Sequence, residues 1–139
     1  MAAAVAALRP PTADDIAAIG EAILKGLPEP LRSAVSPVPI TVQDWPDDAT
    51  LDAMGNEDPL DHTGLYAAVP LGERESLGLP PAQPEMIYLF RQPILFEWCE
   101  RGCALEEVVF DVLTHEIGHH FGMDEDAVLR MEGREGEGR

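Results

Sequence analysis

The sequence predicts a single domain of the α/β class (α+β), with helices near both ends of the chain and short strands between them. A chain of 139 residues, 45% of them hydrophobic, is long enough for one core and too short to expect two. Apolar residues follow a helical period in two segments, one near each terminus. Between these segments lie short runs rich in β-branched residues, which are typical of strands.

The first predicted helix covers residues 12–27. Thr12 is suited to cap its N-terminus, and Asp14 and Asp15 favour the positive end of the helix dipole. Gly26 and Pro28 are expected to end it. The residues that recur at three- and four-residue steps, and so predict one buried face, are Ile16, Ile19, Ile23 and Leu27.

Three strands are predicted, over residues 38–45, 63–71 and 85–95. We expect the third to be central and to end at Pro93, since proline donates no hydrogen bond to a sheet. Residues 44–84 are otherwise rich in Asp, Pro and Gly, which disfavours any long regular element. The domain is expected to span residues 1–131, with residues 132–139 forming a disordered tail of Glu, Gly and Arg.

The second predicted helix, residues 104–121, carries an unusual group of polar residues. Its apolar residues cover most of the helix circumference, which predicts burial in the centre of the domain. His115, Glu116 and His119 would then be polar groups on a largely buried helix. Because buried polar groups are costly without partners, this pattern favours a bound metal ion.

The spacing of these residues matches the chemistry of metal-assisted hydrolysis. His115 and His119 lie four residues apart, so both rings can reach one ion from the same helix face. Glu116 is rotated by about 100° from His115 and can act on a water held by the metal without binding the metal itself. Zinc lowers the pKa of such a water to about 7, and a neighbouring carboxylate can then take its proton.

A turn and an acidic cluster follow the two histidines. Gly122 can adopt positive φ, which would end the helix and redirect the chain. The three carboxylates beyond it, Asp124, Glu125 and Asp126, could each supply a third ligand. Acidic residues beyond a helix C-terminus are unfavourable with the dipole, so a nearby cation would explain their position.

A structural Cys2His2 zinc site is an alternative. Cys99, Cys103, His115 and His119 are separated by three, eleven and three residues, one residue short of the usual central spacing of a zinc finger. Such a site would leave Glu116 and Gly122 unexplained. The two cysteines would rarely reach disulfide geometry if they shared a helix, and a reducing, cytoplasmic setting is therefore expected.

The charge excludes several classes of partner. A formal net charge of −17 creates a field that repels phosphate backbones and anionic lipid headgroups, so neither nucleic acid nor a membrane is expected as a partner. The N-terminal segment is apolar for only eight residues before Arg9, Pro10 and Pro11, and it lacks the basic start of a signal peptide.

The motif helix resembles that of the zincin metallopeptidases, and nearly the whole chain resembles the small bacterial zincin-like metallopeptidases, or minimal zincins. The segments "GLYAAVPLGER", "IYLFRQPIL" and "LTHEIGHHFGMDED" occur in the order typical of that family. The resemblance implies a small mixed sheet packed against helices. It also implies that His115 and His119 bind Zn²⁺ and that Glu116 is the general base. Glu125 occupies the eleventh motif position, often Asp in the family, and is the expected third ligand, with Asp124 or Asp126 as substitutes.

We therefore expect a zinc-dependent hydrolase, most simply a metallopeptidase acting on peptides or proteins. Only 17 residues follow Gly122, so we do not expect the lower subdomain and methionine turn of larger metzincins. This difference from the larger metzincins motivates an alternative, in which the protein has the zincin shape but acts as a binding or regulatory protein without catalytic activity. Tyr66, Tyr88 and His120 are candidate oxyanion donors for which structural roles are the simpler interpretation, and His62 is expected to be an ordinary loop histidine.

Overall fold

Three strands form one mixed sheet. The computed structural model describes residues 9–55, 58–68 and 85–123 of the chain. Its strands β1 (Ile40–Gln43), β2 (Gly64–Ala68) and β3 (Glu85–Phe90) lie in the order β1-β3-β2. β1 is parallel to β3 and β2 is antiparallel to it. β3 is central and largely buried on both faces, which confirms the mixed sheet and the central position predicted for the third strand.

The described residues also form five α-helices and one 3-10 helix. The α-helices are α1 (Ala13–Lys25), α2 (Leu31–Val35), α3 (Asp48–Met54), α4 (Arg91–Arg101) and α5 (Leu105–His120), and the 3-10 helix is Pro59–Asp61. α1 packs on β1, α5 packs on β2, and the two helices contact each other. The core therefore lies between the sheet and these two helices, and it includes Ile16, Leu24, Ile87, Leu89, Val109, Leu113 and Ile117.

α1 begins and ends as its sequence predicts. The Asp15 amide donates to Thr12 Oγ1 at 3.1 Å, and the Thr12 amide donates to Asp15 Oδ2 at 2.9 Å. This reciprocal pair is a capping box, which satisfies two amides that a helix N-terminus otherwise leaves unpaired. Gly26 caps the C-terminus.

The strand predicted over residues 85–95 is too long. β3 ends at Phe90, and α4 starts at Arg91. Pro93 lies in the first turn of α4, where the missing amide hydrogen costs no intrahelical bond. α4 ends at Gly102, whose φ of 63° places it in the left-handed region, so Cys99 and Cys103 do not share a helix. Both cysteines are free thiols.

α5 matches the predicted helix at 104–121 to within a residue at each end, but it is less buried than predicted. One side is packed in the core, with Val108, Val112, Leu113 and Ile117 among its buried residues. The opposite side is open to solvent, and Phe121, expected to be part of the apolar cover, is 44% exposed. The predicted burial is confirmed for Val108, Val109, Val112, Leu113 and Ile117, and it is wrong for Phe121, which is the C-cap residue and follows the last turn of the helix.

Two expectations lie wholly or partly outside the described residues. Residues 69–71 of the second predicted strand and the tail at 132–139 are outside the described ranges, and the boundary at residue 131 stays a prediction. No helix in the described ranges has the length and apolar character needed to cross a membrane.

Candidate active site

The three motif residues of α5 differ in their environments. His115 and His119 lie one helical turn apart and are exposed, whereas Glu116 is partly buried. Glu116 faces β2, because the Tyr66 amide donates a hydrogen bond to Glu116 Oε1 at 3.3 Å. The helix thus presents two imidazoles to solvent while its carboxylate is held at the strand.

β2 approaches α5 closely because it has a glycine at the contact. A Cβ placed on Gly64 would lie 2.7 Å from Val112 Cγ1 and 3.1 Å from the Tyr88 carbonyl oxygen, so any larger residue would push the strand away from the helix. Val112 and Glu116 are four residues apart on one helix face. The close contact at Gly64 therefore places the amide of Tyr66, two residues further along β2, beside Glu116.

The ring of His115 has a geometry suited to a metal ligand. His115 Nδ1 lies 3.0 Å from the Asp111 carbonyl oxygen. With the proton on Nδ1, the ring donates to this oxygen, and the Nε2 lone pair remains available to an ion. Asp111 is itself held by an ion pair between Arg101 and its carboxylate at 2.8 Å, which ties the end of α4 to α5. His115 therefore fits a zinc ion, and His119 lies one turn further along the same face.

The electrostatics around Glu116 are suited to a general base. Burial raises the pKa of Glu116 above its usual value, and the Tyr66 amide, His119, His115 and His62 act in the opposite direction. A base works best when its pKa lies close to the working pH, and burial moves this carboxyl in that direction.

A cluster of rings lies at the C-terminal end of α5. The His120 ring stacks on Tyr66 with centroids 3.9 Å apart and planes 6° from parallel, and Phe121 packs edge-on against both rings. His120 Nε2 pairs with the Glu85 carboxylate. These contacts fix the end of the helix to β2 and to the start of β3, which supports a structural role for His120.

The helix ends in a glycine turn, as predicted. Gly122 has a φ of 64°, its amide donates to the His119 carbonyl at 3.2 Å, and the Met123 amide donates to the Gly118 carbonyl at 2.8 Å. This pair of bonds forms a Schellman motif. Asp124, Glu125 and Asp126 follow it and lie outside the described residues, so Glu125 stays a predicted ligand.

The described ranges contain no group of three His, Cys, Asp or Glu side chains placed to hold a metal ion. All four residues of the Cys2His2 alternative, Cys99, Cys103, His115 and His119, lie within those ranges. The structure does not bring them together, and that alternative is therefore wrong.

Comparison with known proteins gives the family of this chain. A family model described as zincin-like metallopeptidase matches residues 35–134, more than half of the 139-residue chain. The chain belongs to the zincin-like metallopeptidase family. The zincin-like family generally binds zinc. No curated protein matches the chain.

One residue that contacts the end of the motif helix, Glu85, was missed in the sequence. Glu85 lies 35 positions before His120, and nothing local links them; their pairing depends on β3 starting beside the end of α5.

Proposed function

We propose that this zincin-like protein is a zinc-dependent peptidase. The observation that carries the proposal is the arrangement on α5, where His115 and His119 are exposed one turn apart while the Tyr66 amide holds the carboxylate of Glu116. His115 and His119 would hold the zinc ion, with Glu125 as the third ligand and Asp124 or Asp126 as substitutes. Bound zinc supplies a Lewis acid that activates water at neutral pH and polarises a carbonyl.

Glu116 moves the proton in this proposal. Oε1 accepts the hydrogen bond from Tyr66, which leaves the other carboxylate oxygen to take a proton from the attacking water and return it to the leaving amine. The raised pKa of Glu116, caused by burial, favours holding the proton between these two events.

The edge of β2 offers a way to align a peptide. Within the described residues β2 pairs only with β3, and the Phe90 amide donates to the Thr63 carbonyl at 3.0 Å. Because the amides of an antiparallel strand alternate in direction, those of Gly64, Tyr66 and Ala68 point away from β3. The middle amide, that of Tyr66, donates its hydrogen bond to Glu116. An extended peptide paired with this edge would place its backbone beside the general base, which supports a peptide or protein substrate.

The test combines metal content with cleavage of a peptide library. Protein prepared without chelator should contain one zinc per chain, and Glu116→Gln should keep the zinc while losing hydrolysis by roughly 100-fold or more. Glu106→Gln is the matched control, since Glu106 is an exposed glutamate on the same helix, and this variant should keep both properties. Full activity in Glu116→Gln, or a wild-type protein that binds zinc without cleaving any peptide, would contradict the proposal.

A further inference from the structure

A cavity of about 280 Å³ lies on the flank of α5, on the side of α4. It is lined by Arg101, Glu107, Phe110 and Asp111, and we call it the flank cavity. Asp111 connects this cavity to the exposed histidines, because it lines the cavity and its carbonyl oxygen lies 3.0 Å from His115 Nδ1. The flank cavity therefore begins one helical turn before the first predicted zinc ligand.

The charged groups of the flank cavity suit a cation. Arg101 binds Glu97 through one terminal nitrogen at 3.0 Å and Asp111 through the other at 2.8 Å. Both ends of its guanidinium are therefore occupied, so Arg101 is poorly placed to bind an acidic ligand. Glu107 is exposed, and its carboxylate forms no ion pair with the other described residues. Negative charge thus exceeds positive charge around this cavity.

Phe110 gives the same cavity an aromatic surface. Lysine and arginine side chains combine an apolar stem with a charged head, and a cation is attracted to the face of an aromatic ring. A basic side chain can therefore pack its stem on Phe110 while its charge lies beside Glu107. An acidic side chain would be repelled by Glu107, and an apolar one would use the ring alone.

A peptide paired with the edge of β2 would direct one side chain towards the flank cavity. Gly64 and Tyr66 both face α5, since a Cβ on Gly64 would meet Val112 and the Tyr66 ring stacks on His120. Residues directly opposite each other in a sheet place their side chains on the same face. The peptide residue opposite Gly64 therefore points towards the turn of α5 that contains Val112 and Asp111, one turn before the general base.

We propose that the flank cavity is a specificity subsite that binds a lysine or arginine side chain of the substrate, with the stem on Phe110 and the charge beside Glu107. This inference rests on the peptidase function proposed above, and it names basic peptides as the substrate class. The net charge of −17 attracts such peptides from solution, and the cavity selects the position of the basic residue within them.

The first test measures binding to metal-free protein and needs no activity. The probe is benzamidine, a small aromatic cation, and benzamide is its uncharged analogue of similar shape. In nitrogen-15 NMR spectra, benzamidine should shift the backbone amide signals of residues 107–111 with a dissociation constant in the millimolar range. Benzamide should bind at least roughly 3-fold more weakly. The absence of shifts at these residues, or equal binding of the two compounds, would overturn the inference.

Two neighbouring glutamates of α5 separate the cavity from the general charge of the protein. Glu107→Gln and Glu106→Gln remove the same charge from exposed positions, but only Glu107 lines the flank cavity. Glu107→Gln should weaken benzamidine binding by roughly 3-fold or more and leave benzamide binding unchanged. Glu106→Gln should leave both close to wild type. Similar losses in the two variants would show that benzamidine responds to net charge alone, and would overturn the subsite.

The second test measures cleavage by zinc-loaded protein. Paired peptides carry either arginine or its uncharged analogue citrulline at one position, and that position is moved along the peptide. At one position kcat/KM should be roughly 3- to 10-fold higher for arginine, and Glu107→Gln, but not Glu106→Gln, should remove this preference. Cleavage with no preference at any position would overturn the subsite and leave the peptidase proposal intact. If the wild-type protein cleaves no peptide, the peptidase proposal fails, and the benzamidine comparison still decides whether the cavity binds a cation.

Discussion

Tyr66 links the strand to the motif helix at three points. Its amide donates a hydrogen bond to Glu116, its ring stacks on His120, and the same ring makes a T-shaped contact with Phe121. The hydroxyl is buried and lies near Glu85 without forming a hydrogen bond of good geometry in the described residues. The backbone and the ring of this residue therefore act on the site, while its hydroxyl remains unsatisfied.

The burial of this hydroxyl predicts that Tyr66 loses its proton at a higher pH than an exposed tyrosine does. Burial raises the pKa of Tyr66 from 10.0 to about 12, and the Glu85 carboxylate adds to the rise. In metal-free protein, the ultraviolet absorbance of the phenolate should show one tyrosine with a midpoint near 12, and Tyr66→Phe should remove that component while Tyr88→Phe retains it. The unfolded chain loses this proton near pH 10, so the free energy of unfolding should fall as pH rises from about 10 to about 12.

The same substitution tests whether the hydroxyl has a role. Because the hydroxyl is unpaired, Tyr66→Phe should not lower the melting temperature at pH 7, and the extra loss of stability above pH 10 should be smaller than in wild type. Circular dichroism verifies that the fold persists over the range of the titration. A Tyr66 midpoint near 10 in folded protein would contradict the burial.

Gly102 and Gly122 are two of the three left-handed glycines that end helices in the described residues, and they have different consequences for the site. Gly102 ends α4 with a φ of 63°, Gly122 ends α5 with a φ of 64°, and a Cβ added at either position would meet no atom within 4 Å. An L-residue in the left-handed region costs about 1–2 kcal/mol, so the stability cost of alanine should be similar at both positions. Only Gly122 directs the chain from the histidines towards the acidic residues.

Paired substitutions at these glycines test whether residues 124–126 supply a ligand. Gly122→Ala and Gly102→Ala should lower the melting temperature by similar amounts. Gly122→Ala alone should weaken zinc binding, by roughly 10-fold or more, because it disturbs the approach of the third ligand. Zinc affinity is measured by competition with a chromophoric chelator. Equal zinc affinities in the two variants would indicate that the acidic cluster does not bind the metal.

The elements that the sequence predicts correctly are those with a strong local signal. α1 and α5 have helical periodicity with a cap or a terminal glycine, and the short β-branched run at β1 is bounded by proline. α4 is not predicted because its first residues continue the apolar run of β3. Pro93 also fits both interpretations, since proline suits the end of a strand and the first turn of a helix.

His115, Glu116 and His119 are predictable because one helix carries them. The pairing of Glu85 with His120 depends on how β2 and β3 dock on α5, which no local pattern encodes.

At the scale of the whole molecule, negative charge greatly exceeds positive charge. The chain has 26 Asp and Glu against nine Lys and Arg. Several arginines are already paired, and the pairs join Arg32 to Glu29, Arg91 to Asp44, and Arg101 to Glu97 and Asp111. These pairs are partly exposed, and such pairs contribute little to stability. Repulsion among the remaining carboxylates is thus a general cost of the folded state.

This repulsion predicts that salt stabilises the protein. Raising NaCl from about 10 mM to about 200 mM shortens the Debye length from about 30 Å to less than about 10 Å, which screens repulsion between separated carboxylates more than it weakens close ion pairs. At pH 7 the melting temperature of metal-free protein should rise by roughly 3 °C or more, the shift that about 1 kcal/mol produces in a domain of this size. The internal control is the same titration near the isoelectric point of ≈ 4.3, where the net charge is close to zero and the salt dependence should largely disappear. A melting temperature that falls with salt at pH 7 would mean that the few arginine pairs outweigh the repulsion of a molecule with a net charge of −17.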